Sequence, residues 1–287
     1  MIYFVQGRFV LQEEATVSVL DRGFLYGDSI YETLRSRNGK VLFWKDHHER
    51  LHRSARLLDL EIGREEPDPL AILRELMKRN NLATARMRII VSRGTGGRDQ
   101  LDGFTPTWVV TIEPFIELTE EEYREGVAAI LVSTRRMPIA ALSPEIKSSN
   151  LLNNLLARRE AVRAGAAEGI LLNPAGLLAE GAHSNLLWVS PAGTLCTPPC
   201  SVGILRGVTR DKVLRAAHAL GMPAAEVEAG PEALEQAQEI MLTSTSWEVL
   251  SVTRYNGRKV GAGARGEFSR RLREALRALY DDPEETA

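Results

Sequence analysis

The stretch "SPEIKSSNLLNNLLARREA", residues 143–161, decides how this chain is read. Its spacing predicts a helix starting near Ser148, with the Ser and Asn residues as caps and one lysine, Lys147, just ahead of it. Cations suit the C-terminal end of a helix, not its positive N-terminus. Burial behind the apolar Ile146 and the helix end both push such a lysine toward its neutral form. A free lysine has a pKa of about 10.4 and is a poor nucleophile. A neutral one forms Schiff bases. The local residues therefore point to Lys147 as a carbonyl-binding amine, with a solvated loop lysine as the alternative.

Working outward, strand and helix signals alternate. Upstream, "YFVQGRFV" and "VSVLD" read as short strands, and "SIYETLRSRNGKVLFW" as a hairpin turning at Asn38-Gly39. A helix is expected from about Asp46, with Leu51, Ser54, Ala55 and Leu58 on one face and Arg50, Arg53 and Arg56 pointing elsewhere. Asp68-Pro69 opens a second helix, as N-cap and first helical residue. "ARMRIIVSRG" and "TWVVTIEPF" read as strands around the loop "RGTGGRDQLDG". The acidic "EPFIELTEEEY" reads as a linker, which gives domains 1–115 and 122–287 joined by 116–121.

Downstream come the strand "VAAILVST", the opening stretch with its helix, the hairpin "GILLNPAGLLAEG" and the strand "NLLWVS". A helix from about Thr209 to Leu220, the strands "EIMLTS" and "VLSVTRY", and an amphipathic helix from Gly266 to Leu279 follow. Hairpins outnumber crossovers, which favours two α+β domains over a doubly wound sheet. Neither a dinucleotide-binding nor a P-loop motif occurs.

Composition narrows the function classes. The net charge is -2 with charges spread along the chain, which leaves no nucleic-acid footprint. No apolar run reaches the roughly 18 residues of a membrane span, and the first residues lack the pattern of a signal peptide. Two cysteines, Cys196 and Cys200, fit a reducing cytoplasm. A zinc site needs about four ligands, so no metal is expected.

Three further segments carry chemistry. Glu180, in "LLAEGAHSNLLWVS", is a strand-end carboxylate suited to holding a proton on a heterocyclic nitrogen; a solvated hairpin-end Glu is the alternative. "GILRGVTRDKVL" places Val208 and Thr209 at a helix start. "LTSTSWE" places Ser244, Thr245 and Ser246 at a strand end. Helix-start N–H groups and hydroxyls are what a phosphate needs, although a Thr there also serves as an ordinary cap.

In order, "DRGFLYGD", "IKSSNLLNN", "EGAHSNL", "GILRGVTRD" and "TSTSWEV" resemble the fold-type IV pyridoxal-phosphate enzymes, the class IV aminotransferases. These include D-amino-acid transaminases, branched-chain aminotransferases and aminodeoxychorismate lyases. The resemblance runs nearly end to end. It implies a small α/β N-terminal domain, a larger pseudo-barrel C-terminal domain carrying the cofactor lysine, and a homodimer or higher homo-oligomer. It implies that Lys147 bonds pyridoxal 5'-phosphate and shuttles the substrate proton, while Glu180 pairs with the pyridine nitrogen. Arg50, in "HHERLHRS", would bind the phosphate, with Val208, Thr209, Ser244 and Thr245 completing its site. Leu205 would pack against the ring, and Tyr31 would line the substrate side. Substrates would be amino acids and 2-oxo acids.

The subfamily rests on fewer residues. Branched-chain enzymes read "FEGIR" where this chain has "YETLR", which puts Arg35 at their final Arg, but they carry an Arg-Pro strand absent here. D-amino-acid transaminases carry an Arg-x-His pair where this chain has Arg98 and Gln100. "SRGTGGR" is similar to the lyase. The resemblance favours a D-amino acid such as D-alanine, with a branched-chain L-amino acid, the lyase or an (R)-amine transaminase as alternatives. A binding protein without chemistry is the non-enzyme alternative.

Overall fold

In a computed structural model, which describes residues 1–62 and 68–287, three two-residue turns set much of the antiparallel pairing. Gln6-Gly7, Asn38-Gly39 and Asn256-Gly257 have positive φ at both positions, the turn geometry that matches strand twist. The chain divides into two units. One comprises Met1–Ile116, Ile146–Asn150 and Tyr280–Ala287; the other comprises Glu117–Glu145 and Leu151–Leu279.

The first unit contains strands β1 (Ile2–Val5), β2 (Arg8–Leu11), β3 (Ser29–Arg37), β4 (Lys40–Val41), β5 (Ala85–Ser92) and β6 (Thr107–Pro114). Its helices are α1 (Arg22–Tyr26), α2 (Trp44–Leu57) and α3 (Pro69–Arg79). The strands form one antiparallel sheet in the order β2-β1-β6-β5-β3-β4. Period-2 alternation decides its faces: β5 buries Ala85, Met87, Ile89 and Val91, while Arg86 is exposed. Helix α2 packs on β3, and α3 packs on β1, β5 and β6. Asp68 caps α3, accepting from Leu70 N at 3.0 Å and Ala71 N at 3.3 Å.

Two expectations fail here. "VSVLD" forms no strand: Val17, Val19 and Leu20 are exposed, and Asp21 instead caps α1, accepting from Gly23 N at 2.8 Å. Arg50 does not point away from the packed face of α2; it is buried beside Leu51, Ser54 and Ala55.

Two late segments join this sheet. Strand β4 is short, so the first half of β3 is open on that side. Ile146–Asn150 pairs there: Tyr31 N donates to Lys147 O and Ser149 N to Ser29 O, both at 2.9 Å. The helix expected from Ser148 therefore starts later, at Leu152. The backbone of 146–150 is committed to β3, and no side chain caps that helix. The lysine expected in the C-terminal domain packs with the N-terminal unit for the same reason. Along β4 itself, Val41 N donates to Ala287 O at 2.7 Å, Ala287 N to Val41 O at 2.9 Å, and Phe43 N to Glu285 O at 2.7 Å.

The second unit contains strands β7 (Val127–Arg135), β8 (Glu168–Leu172), β9 (Leu178–Gly181), β10 (Asn185–Val189), β11 (Leu195–Thr197), β12 (Ala224–Glu226), β13 (Glu239–Ser244), β14 (Glu248–Tyr255) and β15 (Arg258–Lys259). Its helices are α4 (Glu120–Glu125), α5 (Leu152–Arg163), α6 (Val208–Ala219), α7 (Glu232–Glu235) and α8 (Glu267–Ala278). The sheet order is β12-β11-β10-β13-β14-β7-β8-β9, with β15 added on β14. Register shifts interrupt the β14/β7, β7/β8 and β8/β9 ladders. Such irregularities add local twist and curl the sheet into a half-barrel. Its core includes Ile170, Leu186, Trp188, Ile240, Leu242 and Val252; fully burying each such side chain stabilises by about 1.5–3 kcal/mol.

Part of the expected linker is helical, because Thr119 and Glu122 form a capping box that starts α4. Helix α5 buries only Ala157 and Ala161. Among the described residues no helix is long and apolar enough to cross a membrane.

Candidate active site

The expected residues fall into two sets, one in each unit. In the first, Lys147 N donates to Ser54 Oγ at 3.1 Å, and Lys147 Nζ lies 4.5 Å from the centroid of the Tyr31 ring. The Arg88 guanidinium stacks on the same ring at 4.1 Å, and its Nε is buried without a hydrogen-bond partner. An amine, a phenol and a guanidinium thus meet on one side of β3.

Glu32, the next residue along, points into the other face. Arg50 donates to it twice, Nε to Oε1 at 2.7 Å and Nη2 to Oε2 at 2.8 Å. His47 Nδ1 lies 2.7 Å from Oε2. Burial pushes the Glu32 carboxyl up, but the charge and hydrogen bonds of Arg50 and the bond from His47 outweigh it and hold it at about 2. Burial lowers His47; Glu32 works against this, while the Arg50 and Lys147 charges reinforce it. An ionised Glu32 only accepts, so neutral His47 donates through Nδ1. The buried group orients Arg50 from behind.

This predicts acid sensitivity. A depressed carboxyl stabilises the fold in full above its unfolded value of 4.5 and loses that contribution as pH falls through about 2. The contribution is on the order of 3 kcal/mol. A depressed histidine adds loss of the same sign as pH drops below about 6.5. Urea unfolding of the wild type should weaken progressively from pH 7 to pH 3, and Glu32→Gln should be less stable at pH 7 with a flatter acid profile. Equal slopes for both proteins would refute this role for Glu32.

Three expected substrate residues are not brought to Tyr31. Arg35 is 1% exposed, its guanidinium 4.6 Å from the Phe115 ring and 5.2 Å from that of Tyr280. Four residues along a strand put it about 13 Å from Tyr31. Arg98 and Gln100 are exposed in the β5–β6 loop, where Gln100 Nε2 donates to Asp102 O at 2.8 Å.

In the second unit, Glu180 is the last residue but one of β9. Its Oε1 is 2.9 Å from Arg136 Nε, and its Oε2 accepts from Asn185 Nδ2 at 3.1 Å and Leu205 N at 3.2 Å. Asn185 Nδ2 also donates to Leu205 O at 2.8 Å. Gly207 precedes α6, and no side chain caps the helix, so Val208 and Thr209 offer first-turn N–H groups. A Cβ at Gly207 would collide with Asn185 Oδ1, so only glycine brings this helix start against β10. Asn185 pairs with Thr243 across β10 and β13, which sets Ser244 and Thr245 next to the Glu180 turn. Thr243 Oγ1 is buried with no partner. Sequence reasoning missed Glu32, Arg88, Arg136 and Asn185. Glu32 carried a visible signal, a charge between Ile30 and Leu34 on an inward-facing stripe.

Taken unit by unit, the donor types suit pyridoxal phosphate: the first unit offers a lysine amine to which an aldehyde could bond and the Arg50 guanidinium, and the second offers a buried carboxylate suited to a ring nitrogen and an uncapped helix start with hydroxyls suited to a phosphate. Among the described residues no cluster of three His, Cys, Asp or Glu is placed to hold a metal, and Cys196 and Cys200 are free thiols.

Comparison with known proteins agrees with this chemistry. The family model described as "Amino-transferase class IV" matches residues 29–255. A Methanocaldococcus jannaschii protein named "Putative branched-chain-amino-acid aminotransferase" is 36% identical over 281 residues, 97% of this chain and 96% of that protein. A D-alanine aminotransferase from Staphylococcus epidermidis is 34% identical, covering 95% of both chains. The solved structure of the Escherichia coli branched-chain amino acid aminotransferase superposes with a TM-score of 0.93 at 28% identity, covering 99% of this chain and 98% of that one. The chain belongs to the class IV aminotransferases, and it is a pyridoxal-phosphate-dependent aminotransferase of fold type IV.

Proposed function

We propose that the protein moves an amino group between a branched-chain L-amino acid and a 2-oxo acid. The observation that carries this reading is the likeness, over nearly the whole chain, to the branched-chain enzymes of M. jannaschii and E. coli. The residues at 98 and 100 support it, because the carboxylate trap of a D-amino-acid transaminase is an Arg-x-His pair and Gln100 brings no charge. A second reading, transfer from D-alanine, draws support from the S. epidermidis enzyme.

Bound pyridoxal phosphate supplies an aldehyde for a lysine amine and an electron sink for the Cα–H bond. In this reading Lys147 would anchor the cofactor and, as a free amine, would take the substrate Cα proton. Glu180, steadied by Arg136 and Asn185, keeps the ring nitrogen protonated. Arg50, Val208, Thr209, Ser244 and Thr245 would hold the phosphate, and Leu205 would pack on the ring. Tyr31 and Arg88 face the substrate, the guanidinium reading a carboxylate. The resemblance and the exposed Leu152, Leu155 and Leu156 of α5 support a homodimer.

Single amino acids mixed with the holoenzyme, without acceptor, test the reading through loss of the visible band. L-leucine and L-valine should bleach it; bleaching by D-alanine alone would transfer the assignment to the second reading. Arg88→Ala should raise KM for 2-oxo acids about 10- to 100-fold, the size of one charged hydrogen bond. An unchanged KM would remove Arg88 from substrate recognition.

A further inference from the structure

Helix α2 spaces Trp44, His48 and His52 four residues apart, so the three rings follow one another along one flank of the helix. The Trp44 and His48 ring centroids are 4.9 Å apart with the planes at 37°. Those of His48 and His52 are 4.4 Å apart with the planes at 69°. The two imidazoles approach through their Nε2 atoms, which are 3.0 Å apart. Nitrogens closer together than the ring centres mean that both rings lean toward a common point. The packed face of the helix carries His47, Arg50, Leu51, Ser54 and Ala55; His48 and His52 stand beside it, each half-buried.

At this separation the pair shares one proton, the Nε2–H of one ring donating to the Nε2 lone pair of the other. A divalent cation can take the place of that proton. Each neutral imidazole carries a single N–H, and moving the shared proton to Nδ1 of its own ring turns both lone pairs inward with no proton lost. Two histidines at i and i+4 on one helix face are a recurrent pair of metal ligands. A cation about 2.0–2.1 Å from each nitrogen would subtend roughly 91–97° across the 3.0 Å gap. That is near the right angle of tetragonal coordination; a tetrahedral ion would set the nitrogens about 3.3–3.4 Å apart. Tetragonal nitrogen sites suit copper(II) and nickel(II), and copper(II) binds the more tightly. Arg56, one turn further along, is exposed, so water and salt screen its charge.

We propose that His48 and His52 form a two-imidazole site for a divalent transition metal of tetragonal preference, copper(II) ahead of nickel(II). Among the described residues no third His, Cys, Asp or Glu completes a cluster with them, and water fills the other positions. Trp44 is a positioning residue, packing on His48 from the preceding turn. The site stands apart from the substrate reading, and the metal joins the two helical turns that carry Arg50 and Ser54.

The test titrates copper(II) chloride into the pyridoxal-phosphate holoenzyme, with no amino acid present. Electron paramagnetic resonance should show one tetragonal copper(II) per chain, with spin-echo modulation from two imidazoles, and the metal should raise the melting temperature. His48→Gln and His52→Gln should each weaken copper(II) binding by at least about 10- to 100-fold, the cost of losing even an outer-shell partner of a metal site, and should abolish the rise in melting temperature. His218→Gln, at an exposed position of α6, should bind copper(II) as the wild type does. One imidazole or none in the wild-type spectrum overturns the proposal without recourse to any variant. Copper(II) affinity unchanged in His48→Gln and His52→Gln also overturns it and places the metal at the cofactor or another surface group. A preference for zinc(II) over copper(II) refutes the tetragonal geometry.

Discussion

Lys147→Ala should lose amino transfer by at least about 10³-fold, since on the proposed reading it removes the cofactor anchor together with a general base that alone accounts for about 10²–10⁴. The visible colour of the holoenzyme should disappear with it. Borohydride treatment of the wild type should fix the cofactor on the peptide containing Lys147, read by mass spectrometry, and the variant should give no such adduct. Lys147→Arg separates charge from chemistry: it keeps a cation beside Tyr31 but offers no amine, and should be as inactive as alanine. The position tolerates little else. Its carbonyl accepts from Tyr31 N and its own N–H donates to Ser54 Oγ, so strand β3 and helix α2 fix the backbone while the side chain works. A variant that keeps either the colour or wild-type turnover would sink the assignment.

Glu248→Ala should be the most destabilising single change outside the apolar core. Its Oε2 accepts from Arg273 Nε at 2.9 Å, Arg277 Nε at 2.8 Å and the Tyr123 hydroxyl at 3.4 Å. The Arg273 guanidinium stacks 3.4 Å from the Tyr123 ring centroid. Burial, followed by the Glu248 charge, pushes the Tyr123 hydroxyl up to about 12, so it remains a neutral donor. Removing one member of a buried ion pair costs about 3–5 kcal/mol. Glu120 and Glu117 still reach Arg273 and Arg277, which places the expected loss near the lower end, about 3 kcal/mol. Glu248→Gln keeps an acceptor and should lose less. Urea unfolding midpoints decide the matter; a change below about 0.5 kcal/mol, typical of a surface site, would contradict it. Glu248 also holds a left-handed backbone at φ 56° where the Ser244–Trp247 turn enters β14.

What the sequence revealed follows how local each feature is. The Asn38-Gly39 hairpin, the Asp68-Pro69 helix start and the strand that becomes β5 are written within a few adjacent residues, and they form as read. The position of Lys147 was legible for a different reason than the one its neighbourhood suggests. The helix-end argument fails, since α5 begins at Leu152; a β3 edge contributed by residues more than a hundred positions earlier fixes this segment instead. Arg35 looked like a substrate residue by its place in "YETLR", yet Phe115 and Tyr280 enclose it. Arg88 drew no notice because an arginine on a strand reads as a solvated face. Only the register of Thr33 opposite Arg88, which brings the guanidinium over Tyr31, makes it a candidate.

The pairing of Val41 and Phe43 with Glu285 and Ala287 bears on how the chain is made. At about 5–20 residues per second, the roughly 240 residues between these partners take on the order of 10–50 s to synthesise. Throughout that interval β4 has an uncovered edge, and the first half of β3 has one until Ile146–Asn150 emerges. Bare edges recruit other strands. The N-terminal unit therefore cannot finish as an early, self-contained folding step; its sheet closes only after the ribosome has delivered the whole of the second unit.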